Sequence, residues 1–234
     1  KTGGQTMKPY RYLLFDADGT LFDFDRAETE ALRQALHLHA LPWSGRARDL
    51  YRDINQSLWQ EFELGMVTKE RLQIERFRRL LEQVPLSGDP EVINASYVKE
   101  LGRCGFLYDG AEDICRRLAD HYKLAIITNG IAGVQYPRFE KSPLAAIISD
   151  LFISEEIGYQ KPQTEFFTHV LDALQIEDRR HALVIGDSLT ADILGGINAG
   201  IDTCWYNPRH LPQDSLIRPT YEIDRLEALI TLLD

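Results

Sequence analysis

Short apolar runs recur along the chain, and each one ends at a polar residue. The first, Tyr10–Asp16, stops at an acid, which is typical of a buried strand whose carboxyl end meets a loop. Four later segments have the same form and are also predicted to be strands: Leu124–Thr128, Leu151–Ser154, Ala182–Asp187 and Asp202–Tyr206.

Helical apolar spacing lies between these runs. The segment Ala111–Asp120 places Ile114 and Leu118 on one face, and Thr164–Leu174 follows Pro162, which suits a helix start. Strands that alternate with helices predict an α/β fold with a doubly wound, Rossmann-like parallel sheet.

About a hundred residues separate the first two predicted strands, far more than a simple crossover requires. This stretch is rich in helix formers with helical spacing, so we expect an all-helical domain over residues 25–102. It would be inserted into a core formed by residues 7–24 and 103–234. Residues 1–6, before Met7, resemble an added tag and are left out of the fold prediction.

Composition and charge exclude several kinds of partner. The net charge of -10 argues against a nucleic-acid polymer, because no basic stripe is available to displace counterions. No apolar run approaches the roughly 20 residues needed to span a bilayer, so we expect no membrane partner. The three cysteines form no CxxC pair and are expected to be thiols in a reducing cytoplasm. The oligomeric state is not indicated.

Polar residues follow the predicted strands where ligands bind in open α/β sheets, beyond the carboxyl ends. Asp16 and Asp18 follow the first strand, and Lys161 precedes the helix after the third. The remaining candidates at these ends are Thr128, Asn129, Asp187 and, one helical turn further on, Asp192.

The acids among these residues predict a metal ion. Two bare carboxylates about 4 Å apart repel by about 4 kcal/mol at an effective dielectric constant near 20, so Asp16, Asp18 and Asp187 need a cation to converge. A small set of oxygen ligands favours Mg²⁺. A small phosphate monoester would then be bound by Mg²⁺, Lys161 and the Thr128 hydroxyl. Asp16 could attack it to give an aspartyl-phosphate, with Asp18 as general acid and base.

Four motifs carry a family resemblance in order along the chain: FDADGTL at Phe15–Leu21, ITNG at Ile127–Gly130, QKP at Gln160–Pro162 and GDSLTADI at Gly186–Ile193. They resemble the motifs of the haloacid dehalogenase superfamily, in which a helical cap is inserted between the first two. The resemblance implies Asp16 as nucleophile and Asp18 as acid and base. It further implies phosphate ligands at Thr128, Asn129 and Lys161, and Mg²⁺ held by Asp16, the Asp18 backbone carbonyl and Asp187, with Asp192 in a water-mediated or outer role.

A narrower resemblance is to the bacterial housecleaning pyrimidine 5′-nucleotidases. It is carried by Asp16–Glu28, Leu58–Thr68, Ile153–Gly158 and Asp192–Gly200, whereas Gly133–Lys141 differs from that group. It implies hydrolysis of pyrimidine nucleoside monophosphates. A sugar-phosphate phosphatase or phosphohexomutase on the same scaffold remains an alternative, as does a phosphoacceptor signalling module. A dehalogenase is disfavoured because its reaction needs neither an acid at Asp18 nor Mg²⁺.

Four residues near the predicted hinge and cap are candidates for substrate contact. Phe22 and Phe24 flank the expected hinge, and Trp59 and Arg76 lie on predicted cap helices. Each also suits a structural role, since the aromatic residues fall at helix-core or hinge-packing positions and an arginine is commonly solvated or ion-paired.

Overall fold

The computed structural model describes residues 10–84, 87–212 and 216–233. Residues 1–6, the expected tag, lie outside the described residues, as do residues 7–9 of the predicted core. Internal contacts divide the chain into two units. The core unit holds the described residues up to Asp23, Leu107–Gly130 and the chain from Ser142 onward. The helical unit holds Phe24–Phe106 and Ile131–Lys141.

This division differs from the sequence expectation at residue 24 and at residues 103–106 and 131–141, all of which were predicted to belong to the core. Ile131 and Val134 are buried in the hydrophobic cluster of the helical unit, which draws their helix into that unit. The backbone also approaches closely there, since a Cβ built on Gly102 would lie 3.1 Å from the carbonyl oxygen of Gly133.

Six parallel strands form one sheet in the core unit: β1 (Tyr12–Phe15), β2 (Lys123–Thr128), β3 (Asp150–Ile153), β4 (Ala182–Gly186), β5 (Asp202–Tyr206) and β6 (Tyr221–Ile223). Their spatial order is β3-β2-β1-β4-β5-β6, so the chain winds outward from β1 in one direction and returns to continue in the other. The predicted doubly wound parallel sheet is confirmed. In such a sheet the crevice at the reversal point, here between β1 and β4, is where ligands bind.

The described helices, in chain order, are α1 (Phe24–Leu38), α2 (Gly45–Glu63), α3 (Lys69–Gln83), α4 (Pro90–Leu101), α5 (Ala111–Ala119), α6 (Ala132–Lys141), α7 (Ser154–Ile157), α8 (Thr164–Ala173), α9 (Leu194–Asn198) and α10 (Ala228–Leu233). Helix α8 covers one face of the sheet, because its residues Phe166 and Val170 share a buried cluster with Leu14 of β1 and Val184 of β4. Among the described residues, no helix is both long and apolar enough to cross a membrane.

Three helices of the helical unit begin at residues that cap a helix N-terminus. The side chains of Ser44, Thr68 and Asp89 each accept a hydrogen bond from a backbone N–H in the first turn of α2, α3 and α4 respectively. Pro90 occupies the first turn of α4, where its missing N–H costs nothing. Local sequence therefore sets where these helices start, and their apolar faces then pack into one cluster.

A buried polar network links the first four helices of the helical unit. Asn55 of α2 donates from Nδ2 to Glu28 Oε1 of α1 at 2.7 Å, and its Oδ1 accepts from the Arg76 guanidinium of α3 at 3.4 Å. Arg76 also donates to Asn94 Oδ1 of α4 at 2.7 Å, and its guanidinium carbon lies 4.6 Å from the centroid of the Tyr97 ring. Each of the four helices thus contributes one side chain to this network, in which Arg76 binds both Asn55 and Asn94.

The buried carboxylate of Glu28 lowers the stability of the folded protein by an amount that depends on pH. Burial raises the pKa of Glu28 to about 7, against the lowering effects of the Asn55 hydrogen bond and Arg52. Because this pKa lies above the ordinary glutamate value, the folded state holds the proton more tightly than the unfolded chain. Stability is therefore greatest at low pH and falls as the pH rises from about 4.5 through about 7.

Glu28→Gln is accordingly expected to stabilise the protein at pH 8, by on the order of 2 kcal/mol or roughly 5 °C in Tm, and to have little effect below pH 4.5. The neutral amide keeps an oxygen for Asn55 while removing the buried charge. Thermal unfolding followed across pH 4 to 8 measures this, with the exposed Glu140→Gln as the matched control. A Tm difference that stays constant with pH would contradict the argument.

Candidate active site

The carboxyl ends of the central strands bring the sequence-predicted polar residues side by side. Phe15 at the end of β1 is in register with Ile126 of β2 and Ile185 of β4. Asp16 directly follows β1, and Asp187 directly follows β4 at the reversal point of the sheet. Thr128 is the last residue of β2, and the loop that bears Lys161 runs between α7 and α8.

The ammonium group of Lys161 lies at the centre of this edge. Its Nζ donates to Asp16 Oδ1 at 2.7 Å, to Asp192 Oδ1 at 2.6 Å and to the carbonyl oxygen of Ile127 at 2.9 Å. These acceptors account for all three ammonium protons. Burial alone would lower the pKa of Lys161, but the two carboxylates raise it above its usual range, so the side chain is charged.

Three carboxylates converge around this lysine. One oxygen each from Asp16, Asp187 and Asp192 lies within 4.8 Å of the others. Burial raises the pKa of Asp16 to about 7, and repulsion from Asp192 adds to this while Lys161 opposes it. Burial also raises the pKa of Asp187 well above its usual range, with further repulsion from Asp16 and Asp192.

The charges of this cluster fit a divalent cation. Three ionised acids against one lysine would leave an excess of two negative charges. The raised pKa values of Asp16 and Asp187 reflect burial first and then the repulsion between these acids. The available donors are all oxygens, and carboxylates with a few waters are what Mg²⁺ takes in proteins. The residues present therefore suit Mg²⁺. The cluster includes the carboxylate of Asp192 and not that of Asp18, whose predicted contribution to the metal was its backbone carbonyl.

Two glycines make room for the acids. Gly19 has a φ of +89°, and a Cβ built there would lie 2.5 Å from Asp187 Oδ2. A Cβ on Gly186 would lie 2.2 Å from Asp192 Oδ2. Neither contact is possible for a real side chain, and a φ near +89° is one that glycine adopts without strain. The glycines of the first and last motifs are therefore required by the close approach of the carboxylates.

Residues beside the nucleophile candidate hold its two oxygens in place. Oδ1 of Asp16 is bound by Lys161, and Oδ2 accepts from the hydroxyl of the buried Thr20 at 3.4 Å. The loop folds back at once, since Gly19 N–H donates to the carbonyl of Phe22 and Phe22 N–H to that of Ala17. Thr20 was not among the predicted site residues, although it belongs to the DADGT motif. That motif was the available signal.

Thr128 and Asn129 differ in what their side chains do. The Thr128 hydroxyl accepts from Gly130 N–H at 3.0 Å, which leaves its hydrogen to donate to an anion. The Asn129 side chain instead forms two hydrogen bonds with the Lys161 backbone. Its Nδ2 donates to the Lys161 carbonyl oxygen at 2.8 Å, and its Oδ1 accepts from Lys161 N–H at 2.9 Å. The loop after β2 thereby fixes the loop that carries the lysine.

Comparison with known proteins agrees with this geometry. A family model described as haloacid dehalogenase-like hydrolase matches residues 10–200, which include every acid of the cluster and Lys161. The chain belongs to this family. The haloacid dehalogenase resemblance predicted from the four motifs is thus confirmed, and with it a hydrolytic enzyme.

Relatives of haloacid dehalogenase-like type are similar over nearly the whole chain. The HAD-hydrolase YfnB of Bacillus subtilis is 41% identical over 97% of both chains. The pyrimidine 5′-nucleotidase PynA of Streptococcus pneumoniae is 38% identical over 96% of this chain and 95% of its own. The pyrimidine 5′-nucleotidase YjjG of Escherichia coli is 33% identical over 95% of this chain and 97% of its own. A crystal structure of YfnB bound to magnesium superposes with a TM-score of 0.92, covering 96% of this chain and 99% of that one.

The four further candidates for substrate contact occupy different environments in this haloacid dehalogenase-like chain. Phe22 is buried in the core unit and forms backbone bridges with Asp18 and Leu107. Phe24 begins α1 and packs against the cluster of the helical unit. Trp59 is half-buried and meets Phe62 edge-on, with ring centroids 5.5 Å apart. Arg76, 1% exposed, belongs to the polar network described above.

Proposed function

We propose that the chain is a Mg²⁺-dependent phosphomonoester hydrolase that acts through an aspartyl-phosphate on Asp16. The observation that carries the proposal is the Lys161 ammonium, which binds Asp16 and Asp192 within a cluster of three carboxylates. With all three acids ionised, such a cluster has an excess of two negative charges, which a divalent cation would neutralise. When bound, Mg²⁺ would be held by Asp16, Asp187 and the backbone carbonyl of Asp18, with Asp192 in a water-mediated or outer role. It would neutralise negative charge on the phosphoryl group.

The residues of the site then have separate tasks. Lys161 and Thr20 orient the carboxylate of Asp16, so that one of its oxygens can attack phosphorus in line with the leaving oxygen. The ester P–O bond breaks, and Asp18 gives its proton to the departing oxygen. Asp18 then accepts a proton from water as that water attacks phosphorus. The bond between phosphorus and Asp16 breaks, which releases phosphate and restores the carboxylate.

The Thr128 hydroxyl supplies a hydrogen bond to a phosphoryl oxygen. Its oxygen already accepts from Gly130 N–H, so the hydroxyl hydrogen is the group it has to offer. Lys161 contributes its positive charge nearby while it holds the acids. Phosphoryl transfer needs positioning and charge stabilisation above all, and these two residues provide both.

We further propose pyrimidine nucleoside monophosphates as substrates. Support comes from the two relatives named pyrimidine 5′-nucleotidases, each similar over nearly its full length. The net charge of -10 makes a small monoester a better partner than a nucleic-acid polymer. The three cysteines are buried with no disulfide between them within the described residues, which agrees with a cytoplasmic enzyme.

A substrate panel tests this proposal. With Mg²⁺ present, kcat/KM is expected to be at least about tenfold higher for dUMP and dTMP than for AMP or glucose 6-phosphate. Phosphate release is the measurement, and a reaction that runs on without a bisphosphate activator separates a phosphatase from a mutase. Continuous release likewise separates it from a signalling module, which would keep its phosphate.

The outcomes of the panel bear on different parts of the proposal. If glucose 6-phosphate is the best substrate, the nucleotidase proposal fails while the phosphatase proposal stands. If no monoester releases phosphate, both fail. Trp59→Leu adds a check on the helical unit, because loss of this half-buried aromatic ring should reduce the preference for nucleotides if the ring contacts the base.

A further inference from the structure

Trp205 of β5 contacts the backbone of one residue of the acidic cluster in the core unit. Its side chain is 1% exposed and packs in a hydrophobic cluster with Ile193 and Ile217. The indole Nε1–H donates to the backbone carbonyl oxygen of Asp187 at 2.9 Å. A buried indole needs such an acceptor, but here the acceptor belongs to a residue of the acidic cluster.

The peptide group between Asp187 and Ser188 is held from both sides. Its carbonyl accepts from Trp205, and its N–H, which belongs to Ser188, donates to Asp192 Oδ2 at 3.1 Å. In a trans peptide the carbonyl and the N–H point in opposite directions. The two bonds therefore fix the rotation of this one peptide plane, and the plane sets the direction in which the Asp187 side chain leaves the backbone.

The same bonds continue to the nucleophile candidate. Asp192 Oδ1 accepts from Lys161, and Lys161 donates to Asp16 Oδ1. An unbroken series of hydrogen bonds thus runs from Trp205 through the Asp187–Ser188 peptide to Asp16. The bonds at the two ends of one peptide group polarise each other, so loss of the Trp205 donor weakens the bond from Ser188 N–H to Asp192.

We propose that Trp205 is a positioning residue for the metal site, acting through the peptide between Asp187 and Ser188. The proposal rests on the Mg²⁺ site of the proposed function. Mg²⁺ requires near-octahedral geometry with short bonds, so a small rotation of one ligand weakens binding. Removal of groups that orient metal ligands commonly reduces metal affinity by about 10- to 100-fold.

Trp205→Phe tests the proposal, because it keeps an aromatic ring but removes the N–H. The Kd for Mg²⁺, measured by calorimetry on metal-free protein, is expected to rise about tenfold. Ile217→Val is the matched control, since it removes one methylene group from the same hydrophobic cluster and leaves the indole bond in place. It should lower thermal stability without changing the Kd for Mg²⁺.

A second measurement does not depend on the folding of any Trp205 variant. The indole N–H resonances of ¹⁵N-labelled wild-type protein come from Trp43, Trp59 and Trp205. The variants Trp43→Phe and Trp59→Phe each lose one resonance and so assign it, and the remaining resonance belongs to Trp205. The Trp205 resonance is expected to shift on addition of Mg²⁺, and that of Trp43, an exposed loop residue of the helical unit, is expected to stay in place.

Three results would overturn the proposal. One is an unchanged Kd in Trp205→Phe, and another is an equal rise in Ile217→Val, which would assign the effect to packing. The third is a Trp205 resonance that does not respond to Mg²⁺ in a protein that binds it. Failure of the wild-type protein to bind Mg²⁺ at all would instead refute the metal part of the proposed function, and this proposal with it.

Discussion

Asp16→Asn is expected to reduce kcat by about 10⁴-fold or more while leaving the protein folded. An amide is nearly the same shape as a carboxylate but is a poor nucleophile, so no aspartyl-phosphate can form. The Asn oxygen can still accept from Lys161, which keeps the centre of the site together. Phosphate release from a generic monoester measures the loss, and circular dichroism with thermal unfolding establishes that the fold is kept.

Asp172→Asn is the matched control, because it makes the same chemical change on the exposed surface of α8. Its kcat should equal that of the wild type. Mass spectrometry of acid-quenched wild-type enzyme should show an added phosphoryl group on the peptide bearing Asp16, and none in the variant. Turnover by Asp16→Asn above a few per cent of wild type, in protein free of wild-type contamination, would rule out covalent catalysis at this residue.

The sheet was largely predictable, and physical reasons explain the part that was not. Buried parallel strands have continuous apolar runs, so β1, β2, β3, β4 and β5 were each predicted to within about two residues of their bounds. β6 was missed because it is only three residues long and carries Glu222 on its exposed side. Its strand character depends on pairing with β5, which sequence spacing does not reveal.

The helical unit shows a similar limit. Apolar periodicity identified the inserted helices, but periodicity gives a face to bury and not the partner that buries it. Helix α6 follows a core strand along the chain, and the sequence therefore left it with the core. Burial of Ile131 and Val134 in the cluster of the helical unit decides otherwise.

The candidate site was predictable in its members and not in their pairing. Residues at strand ends could be named because parallel strands bring their carboxyl ends together. The bonds of Lys161 to Asp16 and Asp192 join residues 145 and 31 positions apart, which spacing cannot foresee. Asp192 also lies in a π-type turn at Leu189–Ile193, a rare conformation that ordinary helical spacing does not predict.

Asp187→Asn is expected to have two opposite effects. It removes a charged oxygen ligand, so the Kd for Mg²⁺ should rise by at least about 100-fold, with activity falling in step. It also removes one of three mutually repelling carboxylates, so the metal-free variant should be more stable than the metal-free wild type at pH 8. A simple loss of structure would lower both the affinity for Mg²⁺ and the stability of the metal-free protein. A fall in affinity together with a gain in stability therefore distinguishes a metal ligand from a structural acid.

The pH dependence supplies the decisive part of this test. Because the folded pKa of Asp187 lies above the ordinary value, the wild type loses stability as the pH rises through that folded pKa, and the variant escapes this loss. The gain in Tm for the metal-free variant should thus disappear towards pH 4.

In the wild type, protons should compete with Mg²⁺ at Asp16 below about pH 7, so the apparent Kd for Mg²⁺ should rise on acidification. Calorimetry and thermal unfolding at pH 5, 6.5 and 8 measure both quantities. Full activity of the wild type in EDTA would show that the reaction does not need a cation at these carboxylates. A metal-free Asp187→Asn protein less stable than wild type at pH 8 would show that repulsion at Asp187 does not cost stability.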